Sequence, residues 1–270
     1  MVTPKEFDVA VRYLRRKFDP APAVAIVLGT GIPRPPLTVG GEAAFGEVPY
    51  LVAPTVEGHA GRFLFGELAD VPVAIAEGRL HLFEGLPADV VTLPVRLLGR
   101  LGARAIVITG AAGSLRAEFA PGEVVVLRDH LYLGALSPLA GPAYEELGPR
   151  FVASAGAYDP SLRTLAAEQA EALGFNLREA VYAAVGGPQF ETEAEAKALA
   201  KLGGDVVGMS LAAEALVARQ MGLPLLALCA VTNVAGRPED SHEAVLAGAE
   251  APGAKIASLI ESLLPRLASR

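Results

Sequence analysis

The alternation of apolar and polar positions along the chain predicts buried strands separated by amphipathic helices. Ala23 to Leu28 (AVAIVL) is a continuous apolar run rich in β-branched residues that ends in Gly29-Thr30-Gly31. This is the pattern of a strand buried on both faces that meets a tight turn. The pattern recurs at Val71 to Ala76, Ala105 to Thr109, Gly122 to Leu127, Ala180 to Val185, Asp205 to Val207 and Leu225 to Val231, so at least seven strands are expected.

The intervening segments carry helix punctuation. Thr3-Pro4-Lys5-Glu6 combines a cap, a first-turn proline and a capping-box glutamate, and predicts a helix to about Phe18. Asp159-Pro160 opens a second helix that stops at Gly174, and Thr192 with Glu195 opens a third that stops at Gly203-Gly204. Between Pro87 and Leu101 the sequence allows two readings, because Pro94 can start a helix or kink one. Doubly apolar strands alternating with helices imply an α/β fold with its sheet covered on both sides. No repeat, charge block or Ser/Gly linker divides the chain, so residues 1–270 are expected to form one domain. In such sheets ligands gather at the strand C-termini.

Composition narrows the function classes. Lys and Arg number 23 against 30 Asp and Glu, a net charge of −7 that argues against nucleic-acid or anionic-membrane partners. The longest apolar run, Leu223 to Val231, contains Pro224 and is too short to span a bilayer. The N-terminal segment lacks the apolar core of a signal peptide, and the lone cysteine, Cys229, rules out an internal disulfide or a Cys-based zinc site. A cytosolic protein is expected.

The residues that follow the strands carry the chemistry. Gly29-Thr30-Gly31 offers backbone amides and a hydroxyl to an anion, or serves as a plain turn; Pro33-Arg34 breaks the dinucleotide fingerprint. His59 lies between Gly58 and Gly61, either poised over a ligand or an ordinary loop histidine. In Glu77 to Gly85, an extended chain would place Arg79, His81 and Phe83 on one side, a cation beside an imidazole that suits an oxyanion. Gly110-Ala111-Ala112-Gly113 lets backbone approach a ligand closely, and also suits tight helix packing. Phe190 and Glu191 precede the Thr192 cap, where a carboxylate also favours the helix dipole. Ser210 after Met209 reads as an N-cap or an anion donor, and Thr232-Asn233 ends the most apolar strand with a carboxamide that must find partners.

The segments GTG, EGHAG, EGRLHLFEG, ITGAAGS, GGPQFETEAE, VGMS, VTN and SHEAVL occur in the order and approximate spacing of the trimeric purine nucleoside phosphorylases, which the chain resembles nearly end to end. The resemblance implies a single three-layer α/β/α domain with a mixed sheet, a homotrimer, and cleavage of purine nucleosides by inorganic phosphate, with no cofactor and no metal. Position by position, it implies that Thr30, His59, Arg79, His81, Ala111 and Ser210 hold phosphate, with Glu84 orienting the Arg79/His81 region. Ribose would lie against Phe83 and Met209, with His242 near its 5′-hydroxyl and Phe151 entering from a neighbouring subunit. Phe190, Glu191, Val207, Thr232 and Asn233 would surround the base. His81, Glu84 and Asn233 would carry the catalytic work. His242 also reads as a helix-start residue behind Ser241. The chain departs from the family pattern at Phe83, where tyrosine is common, at Gly110 for asparagine, at Val234 for lysine and at Thr30 for serine.

Two polar groups point to a substrate. A 6-oxopurine offers an N1–H donor and an O6 acceptor; an ionised Glu191 accepts and Asn233 donates, which fits inosine and guanosine. Adenine reverses both groups. Three rival readings stand beside this one: a methylthioadenosine phosphorylase, which shares the phosphate site and typically has an aspartate in place of Asn233; a nucleoside hydrolase; and a silent purine- or anion-binding protein.

Overall fold

The computed structural model describes residues 2–17, 21–133, 136–141 and 145–269. In chain order the elements are α1 (Pro4–Arg15), β1 (Val24–Leu28), β2 (Thr38–Ala44), β3 (Arg62–Leu68), β4 (Val71–Glu77), α2 (Ala88–Val91), α3 (Leu93–Arg100), β5 (Ala105–Ser114), β6 (Val124–Tyr132), α4 (Pro160–Ala172), β7 (Arg178–Ala184), α5 (Glu193–Lys201), β8 (Val206–Gly208), α6 (Leu211–Gln220), β9 (Leu225–Val234) and α7 (His242–Ala268). The caps act as the sequence predicts: Thr3 and Thr192 each close a reciprocal capping box, and Asp159 accepts from Ser161 N and Leu162 N. Helix α1 stops at Arg15, and Phe18, its expected end, lies outside the described residues. At Pro87 to Leu101 the chain breaks into α2 and α3 at Thr92, with Pro94 in the first turn of α3.

The nine strands form one mixed sheet in the order β2-β3-β4-β1-β5-β8-β7-β6-β9, and β9 also pairs with β5, so the last five strands close on themselves. β1 pairs in parallel with β4 and β5, and β5 in parallel with β9. Period-two alternation divides β1 between two cores. Ala25 and Val27 pack with Phe7 of α1, Leu97 of α3 and Leu211 of α6; Val24, Ile26 and Leu28 pack with Leu162 of α4 and Ile256 of α7. The result is a three-layer α/β/α arrangement in which β1, β4, β5 and β9 run the same way and deliver their C-terminal ends to one place.

Two strands, β2 and β3, lie beyond those expected. β2 (TVGGEAA) is mostly exposed and carries no apolar run; in β3, Gly66 interrupts the pattern because a Cβ there would stand 2.0 Å from Thr38 O. β5 continues through Gly110 to Ser114, where a turn was expected. A side chain at 110 would meet Leu211 Cδ1 at 2.6 Å, so glycine here permits close packing within a continuing strand.

Candidate active site

A cavity of about 700 Å³, open to solvent, lies at the gathered strand ends, and it is lined by Thr30, Arg79, His81, Phe83, Ala111, Phe190, Glu191, Val207, Met209, Ser210, Thr232, Asn233 and His242. Val56, Ala112, Gly113, Gly208 and Val245 complete the lining. His59 stands just behind, with Nε2 3.3 Å from Thr30 Oγ1 and its ring 5.1 Å from that of His81. Phe151 is not part of this lining; its side chain is 91% exposed.

One polar group in the cavity is cationic. Arg79 follows β4 and is 2% exposed, and the pairing that holds it comes from α6: Nε donates to Glu214 Oε1 at 3.1 Å and Nη2 to Oε2 at 3.0 Å. The guanidinium packs so closely over the turn after β1 that a Cβ on Gly29 would lie 2.3 Å from Nη1. The residues after Arg79 do not form the extended segment that was expected, since Leu82–Glu84 is a single 3-10 turn. Arg79, His81 and Phe83 nonetheless all reach the cavity, and the His81 and Phe83 rings stack at 4.6 Å.

Glu84 corrects a second expectation. Its carboxylate accepts from His81 N at 2.7 Å and lies 3.4 Å from His81 Nδ1, while Oε2 accepts from Thr55 N and Thr55 Oγ1. It orients His81; Glu214, not Glu84, orients Arg79. Burial, with Arg79 and His242 nearby, lowers the His81 pKa to about 3. Burial, His81 and Arg79 lower His59 to about 3 as well. Both imidazoles are neutral at neutral pH, so the net positive charge that an anion would meet is concentrated on Arg79 and reduced by Glu214.

Ser210 occupies the N-cap position of α6, yet its side chain caps nothing. Instead its backbone N donates to the hydroxyl of Tyr182 at 3.2 Å, a contact that requires Gly208, where a Cβ would lie 2.4 Å from Tyr182 Oη. The Ser210 side chain also bonds the Tyr182 hydroxyl, and the residue lines the cavity.

The other polar group gathers around Asn233. The β5–β9 register shifts between Ala112 and Gly113, so that Ala112 faces Val231 and Gly113 faces Asn233, with Thr232 as the extra residue. This bulge turns both side chains toward the cavity. Thr232 Oγ1 donates to Asn233 Oδ1 at 2.8 Å, and Asn233 Nδ2 donates to Asp240 Oδ1 at 2.8 Å. Glu191 titrates above the usual carboxylate range, chiefly through burial, with Asp240 and Glu195 adding like charge. His242 is the first residue of α7 behind the Ser241 cap, as its helix-start reading expects; it also lines the cavity and has Nε2 3.1 Å from Glu57 O.

Residues 23–265 match the model of the phosphorylase superfamily. Purine nucleoside phosphorylase 1 of Geobacillus stearothermophilus is 34% identical over 97% of each chain, and the purine nucleoside phosphorylase of Bos taurus is 35% identical over 97% of this chain and 95% of its own. A schistosoma purine nucleoside phosphorylase solved in complex with hypoxanthine superposes with a TM-score of 0.91 at 32% identity, covering 99% of both chains. The chain belongs to the purine nucleoside phosphorylase family. Glu214 and Asp240, which fix Arg79 and Asn233, escaped the sequence reading. Glu214 had a signal: it is the only charged residue in the otherwise apolar run LAAEALVA. Asp240, within RPEDS, had none.

Proposed function

We propose that this enzyme catalyses reversible phosphorolysis of inosine and guanosine, and their deoxy forms, to the free 6-oxopurine and ribose 1-phosphate or its deoxy counterpart. The observation that carries the reading is that a single cavity is lined by Arg79, His81, Thr30 and Ser210 together with Glu191, Thr232 and Asn233. An oxyanion suits the first set, and a purine edge that donates at N1 and accepts at O6 suits the second.

In this reading phosphate is the nucleophile. One of its oxygens forms a bond to the anomeric carbon as the C1′–N9 bond breaks, and the bonding electron pair leaves with the purine. Positive charge grows on the sugar beside the phosphate, and negative charge grows on the base. Arg79, His81, Thr30, Ser210 and the Ala111 backbone hold the phosphate, with His59 supporting Thr30. Phe83, Met209 and His242 line the ribose, and Phe190 and Val207 flank the base. The free N–H of Asn233 Nδ2 receives the charge accumulating at O6 and N7, while Glu191 accepts from N1–H. Orientation and preorganised dipoles supply the rate, with no side-chain nucleophile, metal or cofactor.

The enzyme acts in the cytosol as a homotrimer, in which the exposed Phe151 of each subunit meets a neighbour's ribose site. Among the described residues no helix is long and apolar enough to cross a membrane. The test is release of hypoxanthine from inosine with and without phosphate. Phosphate-dependent release supports the reading, and equal release in its absence would make the protein a hydrolase.

A further inference from the structure

We infer that Asp240 is a specificity-determining positioning residue, which selects 6-oxopurines by locking the carboxamide of Asn233 in one of its two orientations. The inference rests on the proposed base site and adds to it the group that decides its polarity.

A carboxamide can turn by 180° and exchange its donor and acceptor ends with almost no change of shape, so Asn233 alone does not distinguish a 6-oxo from a 6-amino group. Its surroundings must break the symmetry. The Thr232 hydroxyl cannot do so, because a hydroxyl both donates and accepts. Asp240 can, because an ionised carboxylate only accepts. Its Oδ1 takes one hydrogen of Asn233 Nδ2 at 2.8 Å, and this fixes the nitrogen on the Asp240 side. Thr232 Oγ1 then donates to Oδ1 at 2.8 Å, and the second Nδ2 hydrogen is the polar group left for the cavity.

Asp240 is itself held. Its Oδ2 accepts from Arg237 N at 2.9 Å, and its backbone N donates to Arg237 O at 3.2 Å, so a closed turn fixes the carboxylate relative to the end of β9. The Arg237 N–H is an obligate donor, and this makes the isosteric substitution informative. In Asp240→Asn the new side-chain oxygen must keep Arg237 N, and the new NH₂ must face Asn233. The Asn233 carboxamide then flips, its Nδ2 donates to Thr232, and Oδ1 faces the base, where it matches a 6-amino group.

The experiment measures kcat and KM for inosine, adenosine and phosphate in the native enzyme, in Asp240→Asn and in Asp240→Ala. Asp240→Asn is expected to lower the inosine-to-adenosine ratio of kcat/KM by roughly 100-fold, with part of the change a gain on adenosine, because a polar mismatch in a dry site discriminates strongly. Asp240→Ala frees the carboxamide to take either orientation. It should lower the same ratio by roughly tenfold through loss on inosine, without a gain on adenosine. The phosphate KM should stay within about twofold in both variants. An unchanged ratio in both, or equal losses on the two nucleosides, would overturn the assignment. Native enzyme without phosphorolysis of inosine would instead overturn the functional reading, and this inference with it.

Discussion

The guanidinium of Arg79 and the carboxylate of Glu214 meet side-on through two hydrogen bonds of 3.1 and 3.0 Å, 135 residues apart in sequence and almost wholly buried. Removing one member of such a pair leaves the other as an uncompensated buried charge, at a cost of about 3–5 kcal/mol. Glu214→Gln should therefore lower the thermal midpoint, and phosphate should then become the main counter-charge to Arg79. The predicted result in a melting experiment is a larger phosphate-induced rise in Tm for the variant than for the native protein. Equal rises would show that Arg79 does not meet the anion. Correspondingly, Arg79→Ala should raise the phosphate KM by about 10- to 100-fold, the value of a lost charge-assisted bond.

The neutral His81 gives a signed pH effect. With a free-site pKa of about 3, His81 can take up a proton when a dianion arrives, becoming a cation between Glu84 and the ligand. An anion that binds the protonated form better raises the His81 pKa. Its affinity is then highest at low pH and falls as pH rises through the ligand-bound pKa. Sulfate, which stays dianionic across the range, is the suitable probe. Its stabilisation of the native protein should be larger at pH 5.5 than at pH 8, and His81→Asn should flatten the difference. Affinity that rises with pH would contradict this role.

The same burial acts on stability without ligand. His59 and His81 have folded pKa values of about 3 against 6.5 as the ordinary value, so the unfolded chain binds more protons between these limits. Their contribution is complete above about pH 6.5 and is lost as pH falls toward 3. A Tm that rises from pH 4.5 to pH 7 in ligand-free buffer is expected, and a flat profile would show that neither ring is held neutral.

Much of this arrangement was legible in the sequence, for a physical reason. Buried strands leave uninterrupted apolar runs, and helices leave caps, so β1, β4 and α5 could be read directly; their ends named Thr30, Arg79 and Glu191. The edge strand β2 left no such trace, because an exposed strand has no apolar face to advertise. Glu84 was assigned to both Arg79 and His81, and only the fold shows that the 3-10 turn commits it to His81 and Thr55. Glu214 and Asp240 act through contacts that no local pattern encodes. The fold brings Arg79, just beyond β4, against α6 in one case, and a closed turn brings the 237–240 loop back onto β9 in the other.

Asn233→Asp places a second carboxyl within hydrogen-bond distance of Asp240. Two carboxyls this close share a proton, which raises one pKa. The variant should gain activity on adenosine relative to inosine, as measured by kcat/KM for each, and unchanged selectivity would mean that Asn233 does not meet the base.

Phe151 tests the assembly. If a neighbour's ribose site receives it, Phe151→Ala should raise the nucleoside KM several-fold and leave the phosphate KM unaltered, while light scattering of the native protein gives three chains per particle. A monomer with full activity would remove Phe151 from the site.

The most direct test of the whole account is a panel of inosine, guanosine, adenosine and methylthioadenosine, each assayed with and without inorganic phosphate and with a metal chelator present throughout. The account predicts phosphate-dependent cleavage that strongly favours inosine and guanosine and is indifferent to the chelator. Dominant cleavage of methylthioadenosine, or cleavage that proceeds equally without phosphate, would contradict it.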